Sequence, residues 1–183
     1  SHIFTAGPSA RSWEGKIYIY PSHDVRNDKP TQTAEQFDMK DYHVFSMDDL
    51  GEAITDHGSA LHVDDVPWAT AQMWAPDAAH KDGMYYLYFP AKDQDGIFRI
   101  GVATSDSPTG PFTPEATPIE GTYSIDPSVF EDDDGNYYLY IGGIWGGQLQ
   151  HWDADGNYIV EEKYPADDAP ALLPRIAKLD DDM

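Results

Sequence analysis

One phrase occurs three times in this chain, and its repetition restricts the fold more than any other feature. In each copy a small residue or an acid precedes a proline, and a glycine-containing turn and a run of aromatic and aliphatic residues follow. The copies begin at Gly7, Ala75 and Asp126, and the aromatic run starts roughly nine residues after each proline. This pattern predicts a short strand, a hairpin turn and a second strand in every copy.

The spacing of the copies predicts the blades of a β-propeller. They lie roughly 50 to 70 residues apart, which suits units of several short strands. Further strand-like runs occur at 42–49, 98–106 and 149–155, and 33–42 is the best helix candidate. Three blades do not close a propeller, and no closing strand is apparent before Met183. We therefore expect the remaining blades in a missing segment or on a separate chain. A β-sandwich with similar hairpins is the alternative.

Composition limits the classes of partner. The 183 residues are enough for one domain with a sizeable core, and 40% of them are hydrophobic. The net charge of −22 disfavours binding to nucleic acid and to anionic lipid. No apolar run is long enough to span a membrane and no signal segment is apparent, so we expect a soluble protein, either cytoplasmic or secreted. The absence of cysteine excludes disulfides and thiolate chemistry.

The aligned positions of the copies are the candidate catalytic positions. The innermost strand of each propeller blade lines the central channel, so Gly7, Ala75 and Asp126 should face a common funnel. Facing carboxylates are what glycoside hydrolysis requires, one as the acid and one to activate water or attack the sugar. Asp126 precedes a proline, which predicts an extended backbone there. A strand-entry turn is the alternative explanation for this Asp-Pro pair.

Side chains near the funnel are candidates for substrate binding, because a flat apolar ring stacks on the face of a sugar. Trp74 is the best placed, one residue before an aligned position. Phe89 and Trp145 are further candidates, with a place in the blade core as their alternative. His23 and Asp24, at the end of a predicted strand, offer a polar pair near the channel mouth, or a turn cap.

No metal-binding motif is predicted from local spacing. The seven histidines are scattered along the chain without the spacing of metal ligands. The segment 151–162 comes close to a calcium-binding loop, but His151 occupies the first ligand position. A hairpin turn explains that segment better.

Four phrases together resemble family 43 glycoside hydrolases, and are most similar to the β-xylosidase and α-L-arabinofuranosidase branch. They are "HIFTAGPSA…GKIYIYPSHD", "MWAPDAAHKDGMYYLYFPAKD", "FRIGVATSDSPTGPF" and "IDPSVFEDDDGNYYLY". The resemblance covers essentially the whole chain. It implies a five-bladed β-propeller, of which residues 1–183 form the N-terminal part of one catalytic domain and supply roughly the first three blades. The implied activity is release of xylose or arabinose from xylo- or arabino-oligosaccharides.

The resemblance also implies roles for individual positions. Such enzymes invert the anomeric centre, and their general base is an aspartate at the position that Gly7 occupies here. Asp126 matches a second aspartate, which orients the general acid and raises its pKa. The general acid is a glutamate from a later blade, expected on a second polypeptide segment beyond Met183. No cofactor is required for the chemistry. A calcium ion in the central channel is implied, with most of its ligands outside this chain.

Glycine at position 7 cannot accept a proton from water, so the resemblance implies an inactive enzyme or one that traps intact substrate. Either an engineered substitution or a natural binding-only relative would account for Gly7. The alternative function is therefore a non-catalytic carbohydrate-binding propeller. A propeller that binds protein partners is a third hypothesis, which the aromatic and acidic funnel disfavours.

Overall fold

The fold is all-β, as the sequence predicts. The structure is a computed structural model that describes residues 2–29, 34–161 and 166–183. In these residues the helical structure consists of short 3₁₀ turns at Val63–Asp65, Trp145–Gly147 and Leu149–His151. No helix within the described ranges has the length and apolar character needed to cross a bilayer.

The strands of the described residues form three antiparallel sheets. The first sheet has the order β1-β2-β3-β4 and contains Phe4–Trp13, Lys16–Asp24, Asp41–Met47 and Thr55–His62. The second has the order β5-β6-β7-β8 and contains Asp77–Lys81, Met84–Lys92, Phe98–Ser105 and Thr113–Pro114. The third has the order β11-β10-β9 and contains Ser128–Glu131 as β9, Tyr137–Ile141 as β10 and Arg175–Lys178 as β11.

The three repeated phrases form the three predicted hairpins, β1-β2, β5-β6 and β9-β10. The strands predicted at 42–49 and 98–106 are confirmed as β3 and β7. The strand predicted at 149–155 is wrong, since the chain forms a 3₁₀ turn at Leu149–His151. Gln148, just before that turn, has a left-handed backbone with φ +66°, which interrupts an extended strand.

The helix predicted at 33–42 is also wrong for the part that the structure describes. Residues 34–40 are not helical and β3 begins at Asp41, while Thr33 lies outside the described residues. The sequence interpretation also missed β11, the third strand of the third sheet, which pairs antiparallel with β10. β11 is mostly exposed, so it lacks the alternation of buried and exposed side chains that identifies a strand.

The sheets pack face to face, and successive side chains of β6 are buried on opposite faces of the second sheet. Tyr20 of β2 and Leu87 of β6 are fully buried in the core between the first and second sheets. Tyr88, the next residue of β6, points to the opposite face and is buried with Leu139 between the second and third sheets. The second sheet is therefore covered on both faces, as the middle one of three consecutive propeller blades would be.

A part-buried ion pair joins the innermost strands of all three sheets. Arg11 of β1 binds the carboxylate of Asp77 on β5, and it also donates to the carbonyls of Ala78 (2.7 Å) and Val129 (3.0 Å). The backbone N–H of Val129, on β9, donates to the same carboxylate at 2.7 Å. Only 4% of the Asp77 side chain is exposed. The three inner strands are thus fixed around a common channel.

Candidate active site

Gly7 lies in a bulge of the innermost strand of the first sheet. The pairing of β1 with β2 passes from Ala6–Ser22 directly to Ser9–Tyr20, so Gly7 and Pro8 together oppose one residue of β2. Gly7 has φ +51°, in the left-handed region that glycine adopts without strain. Bulges redirect the chain locally and are frequent beside active sites.

Position 7 faces the aligned position of the second sheet. A Cβ atom built on Gly7 would lie 2.7 Å from the Cβ of Ala75, closer than real Cβ contacts allow. Two of the three aligned positions therefore meet directly at the channel, and a side chain at position 7 would require Ala75 to move.

Asp126, the third aligned position, has a backbone φ close to that of Gly7. Its φ of +56° corrects the prediction of an extended backbone before Pro127. The N–H of Gly142 donates to the carbonyl of Ile125, so the antiparallel pairing of β9 with β10 continues on the other side of Asp126 and Pro127. Aspartate is one of the few residues that adopt the left-handed region readily.

Gly7, Ala75 and Asp126 line a shared pocket of about 370 Å³. Its other lining residues in the described part of the chain are Ala6, Ser22, Ala34, Phe37, Met39, Trp74, Ile125, Ile144, Gly146 and Gly147. The same three positions also line a second cavity of about 430 Å³ that contains Arg11 and Asp77 of the channel. The aligned positions therefore lie where the outer pocket meets the channel, as the repeat predicts.

An aromatic wall faces the acid in the outer pocket. The Nε1 of Trp74 donates to the carbonyl of Phe37 at 2.7 Å, and the two rings meet edge to face with centroids 6.2 Å apart. Phe98 supports the Trp74 ring from another side at 4.6 Å. A Cβ on Gly146 would lie 3.1 Å from the Trp74 ring, so a side chain there would displace the ring by a few tenths of an ångström. The wall presents the flat apolar surface expected for a sugar-binding pocket.

Phe37 is a pocket residue that the sequence interpretation missed, because its segment was interpreted as a helix candidate. Phe89, by contrast, does not line the pocket as predicted. It is completely buried, and it stacks on Trp68 with ring centroids 5.8 Å apart. Its place on β6 puts it in the core between the first two sheets. Trp145 is 60% exposed and lies between the pocket residues Ile144 and Gly146, at the pocket rim.

The predicted polar pair at the end of β2 is directed away from the pocket. Ser22 lines the pocket and donates to the carbonyl of Ala6, whereas His23 points to the opposite face of the sheet. The Nδ1 of His23 lies 2.8 Å from a carboxylate oxygen of Asp41. Asp24 pairs with Phe4 at the end of β1 and does not line the pocket either. Neither side chain is positioned to contact a ligand there.

Desolvation by the surrounding pocket walls raises the pKa of Asp126 above its ordinary value, although the residue keeps contact with solvent. Because Asp126 is exposed, solvent screens much of this effect, so its charge destabilises the folded state only slightly at neutral pH, and the penalty disappears as the pH falls below the pKa of the unfolded chain.

We expect Asp126→Asn to raise the free energy of unfolding at pH 7. The gain should shrink as the pH falls and vanish below about 4, where the carboxyl is protonated in both states. Asparagine also tolerates the left-handed backbone. Denaturant unfolding at several pH values tests this. Asp134→Asn is the control of opposite sign, because hydrogen bonds from Asn136 lower the pKa of Asp134. A gain that is independent of pH would contradict the assignment.

The described channel residues do not form a calcium site by themselves. The channel cavity contains the carboxylates of Asp77 and Asp126, and Asp77 already binds Arg11 and Val129. Calcium takes ~6–8 oxygen ligands, more than these residues offer. No step of the chemistry is therefore assigned to calcium.

Comparison with known proteins relates the chain to one enzyme family. The sequence profile of the Glycosyl hydrolases family 43 matches residues 3–171. A xylosidase/arabinosidase 43A of Humicola insolens is 56% identical over 192 aligned positions, which cover 100% of this chain and 58% of that enzyme. The chain thus spans less than two thirds of the length of this curated relative.

Two solved structures of the same family superpose on the whole chain. One is a β-xylosidase/α-arabinofuranosidase from a compost microbial metagenome, in a calcium-free form with xylotriose. This chain superposes on it with a TM-score of 0.96 and 60% sequence identity, and the match covers 56% of that enzyme's chain. The other is a Xanthomonas citri enzyme with xylotriose, with a TM-score of 0.91 and 57% identity over 53% of that chain. These enzymes are β-propellers, and the three sheets described above form part of the same architecture.

Proposed function

Because the chain belongs to glycosyl hydrolase family 43, we propose that it carries the sugar-binding part of a xylosidase/arabinosidase-type active site that lacks its general base. The observation that supports this most is the pair of equivalent positions at the pocket floor. Gly7 and Asp126 share a left-handed backbone and line the same pocket, but only Asp126 has a carboxylate. The proposed ligands are xylo- and arabino-oligosaccharides, as the names and xylotriose complexes of similar proteins suggest.

In the proposed mechanism, water attacks the anomeric carbon from one face while a general acid protonates the leaving oxygen on the other. Asp126 orients that acid and raises its pKa through the proximity of two carboxyl groups. The acid is a glutamate on a further segment, which also supplies the remaining blades. Position 7 is where the base would remove a proton from the water. Glycine offers no acceptor there, so the chain binds substrate without efficient turnover.

A second candidate function is a carbohydrate-binding propeller that performs no chemistry. The same observation, the missing side chain at Gly7, favours it. The two candidates agree on binding and differ in whether restoring a carboxylate at position 7 produces turnover.

Binding is tested by calorimetry with xylotriose on monodisperse protein that contains residues 1–183. We expect Trp74→Ala to weaken binding about tenfold or more, because truncating a large ring in a binding pocket removes a major contact. Trp74→Phe keeps a flat apolar face and should lose less. Phe130→Ala is the matched control, since Phe130 is 53% exposed and lies outside the pocket lining. Equal affinities for wild type and Trp74→Ala would contradict the proposed site.

A further inference from the structure

A cluster of histidine and aspartate side chains lies on the first sheet, on the face opposite its core. His23 at the end of β2 and Asp41 and His43 at the start of β3 each contribute one donor atom, and these atoms lie within 4.8 Å of one another. This face does not line the sugar pocket, which lies on the Ser22 side of β2. No step of the proposed hydrolysis uses the cluster.

Both imidazole rings face the same carboxylate. The Nδ1 of His23 is 2.8 Å from one oxygen of Asp41, and the Nε2 of His43 is 3.5 Å from the other. The ring centroids are 5.0 Å apart. Around a tetrahedral zinc ion, ligands at ~2.0–2.1 Å are separated from one another by ~3.3 Å. The two imidazole–carboxylate spacings lie on either side of that value, and all three donor atoms lie within 4.8 Å of one another, so rotations of the side chains would bring them onto one ion.

A second carboxylate, that of Asp56, contacts His43 on the side away from Asp41. Asp56 of β4 lies 3.0 Å from the Nδ1 of His43, the ring nitrogen turned away from Asp41. The same Asp56 carboxylate accepts a hydrogen bond from the backbone N–H of Gly58 at 2.8 Å and also contacts the ring of His2. These contacts hold the carboxylate in place, and its hydrogen bond to Nδ1 leaves the Nε2 of His43 directed at the cluster. Metal-binding histidines characteristically have such a carboxylate on their other nitrogen.

We propose that His23, Asp41 and His43 form a binding site for a divalent transition-metal ion of the zinc type, with Asp56 as the orienting outer partner. Two imidazoles and one carboxylate are a donor set that suits zinc, whereas calcium and magnesium prefer oxygen alone. The sequence contains no local spacing for this site, because the ligands come from two paired strands. The side chains of the three ligands are 13–23% exposed, which leaves a path for an ion and a solvent ligand.

The site would stabilise the sheet that carries position 7, by joining β2 to β3. His23 pairs across the sheet with Thr5, two residues before Gly7, and Asp41 pairs with His62 of β4. An ion bound between β2 and β3 should therefore protect this sheet from opening, and bound zinc should raise the unfolding temperature.

The test uses metal-free, monodisperse protein that contains residues 1–183, with Zn²⁺ as the probe and Ca²⁺ and Mg²⁺ as comparisons. We expect uptake of one zinc ion per chain, a higher unfolding temperature with zinc, and no competition from the other two ions. Co²⁺ in the same site should give visible absorption bands typical of tetrahedral coordination.

A set of variants distinguishes a specific zinc site from nonspecific binding of zinc at the surface. Asp41→Asn and His43→Gln each remove a ligand and should abolish the zinc-dependent rise in unfolding temperature. Asp56→Asn leaves the ligands in place and should weaken zinc binding by about 10–100-fold, the usual effect of losing such a partner. His80→Gln, at a partly exposed histidine on β5 of the second sheet, is the matched control and should bind as the wild type does.

Far-UV spectra without metal confirm that each variant is folded, and His23→Gln replaces any variant that is not. Absence of zinc uptake by the wild-type protein would overturn the proposal. Equal uptake by wild type and by folded Asp41→Asn would overturn it as well. The result does not depend on the proposed sugar chemistry, because the ligands lie outside the sugar pocket.

Discussion

Replacing Gly7 with aspartate is expected to raise the rate of pentose release from an aryl xyloside or arabinoside by ~10²–10⁴-fold, the usual contribution of a positioned general base. The protein must be folded and must include the segment that supplies the general acid. The backbone at position 7 is already suitable, since Asp126 shows that aspartate adopts the same left-handed conformation in this pocket. The increase should appear mainly in kcat, because the base acts in the transition state.

One contact opposes this substitution. The new Cβ would lie 2.7 Å from the Cβ of Ala75, so either the strand or Ala75 must shift by several tenths of an ångström. The double variant Gly7→Asp with Ala75→Gly removes that methyl group. We expect it to be at least as active as the single variant and more stable.

Gly7→Asn provides the matched control. It introduces the same Cβ and a side chain of the same shape, but its amide is not a base, so it should stay as inactive as the wild type. Turnover in the aspartate variants alone would support the hydrolytic site. If folded aspartate variants bind xylotriose yet release no pentose, the non-catalytic carbohydrate-binding function is the correct one.

The second large effect concerns stability. Asp77→Ala is expected to reduce the free energy of unfolding by about 3 kcal/mol, because it leaves the Arg11 guanidinium and the Val129 N–H without their shared buried acceptor. These groups belong to different sheets. The variant should therefore also lose cooperativity, with the first sheet separating from the others at lower denaturant concentration.

Denaturant unfolding followed by tryptophan fluorescence and by far-UV spectra measures both effects. Asp77→Asn keeps an acceptor oxygen and should cost less than Asp77→Ala. Asp106→Ala is the control, since this aspartate is exposed and its removal should change stability by about 0.5 kcal/mol or less. A similar small loss for Asp77→Ala would show that the ion pair does not join the sheets.

The repeated hairpins could be predicted because turn glycines and alternating aromatic residues are local signals. The same repeat placed Gly7, Ala75 and Asp126 together, since equivalent positions of successive blades meet at the axis. Phe89 could not be assigned in this way, because an aromatic residue has the same sequence signal in a core and in a pocket. Only the packing of neighbouring sheets decides between them.

Features formed by residues far apart in the sequence could not be predicted from local patterns. Phe37 enters the pocket from an irregular segment whose position depends on the hydrogen bond to Trp74. The cluster of His23, Asp41 and His43 exists because β2 and β3 pair in one particular register. Sequence spacing reveals metal ligands when they lie on one turn or one strand, and it does not reveal them across a sheet.

Because of the bulge at Gly7 and Pro8, the residue at position 7 can change without changing the pairing of β1 with β2. Neither residue forms a cross-strand pair in the β1-β2 ladder, so the side chain at position 7 adds nothing to the strand register. The strand register therefore does not depend on the side chain at this position, although the left-handed backbone and the close approach of Ala75 restrict which side chains fit there. A lineage could pass from enzyme to binding protein, or back, by one substitution at position 7 with only local repacking against Ala75.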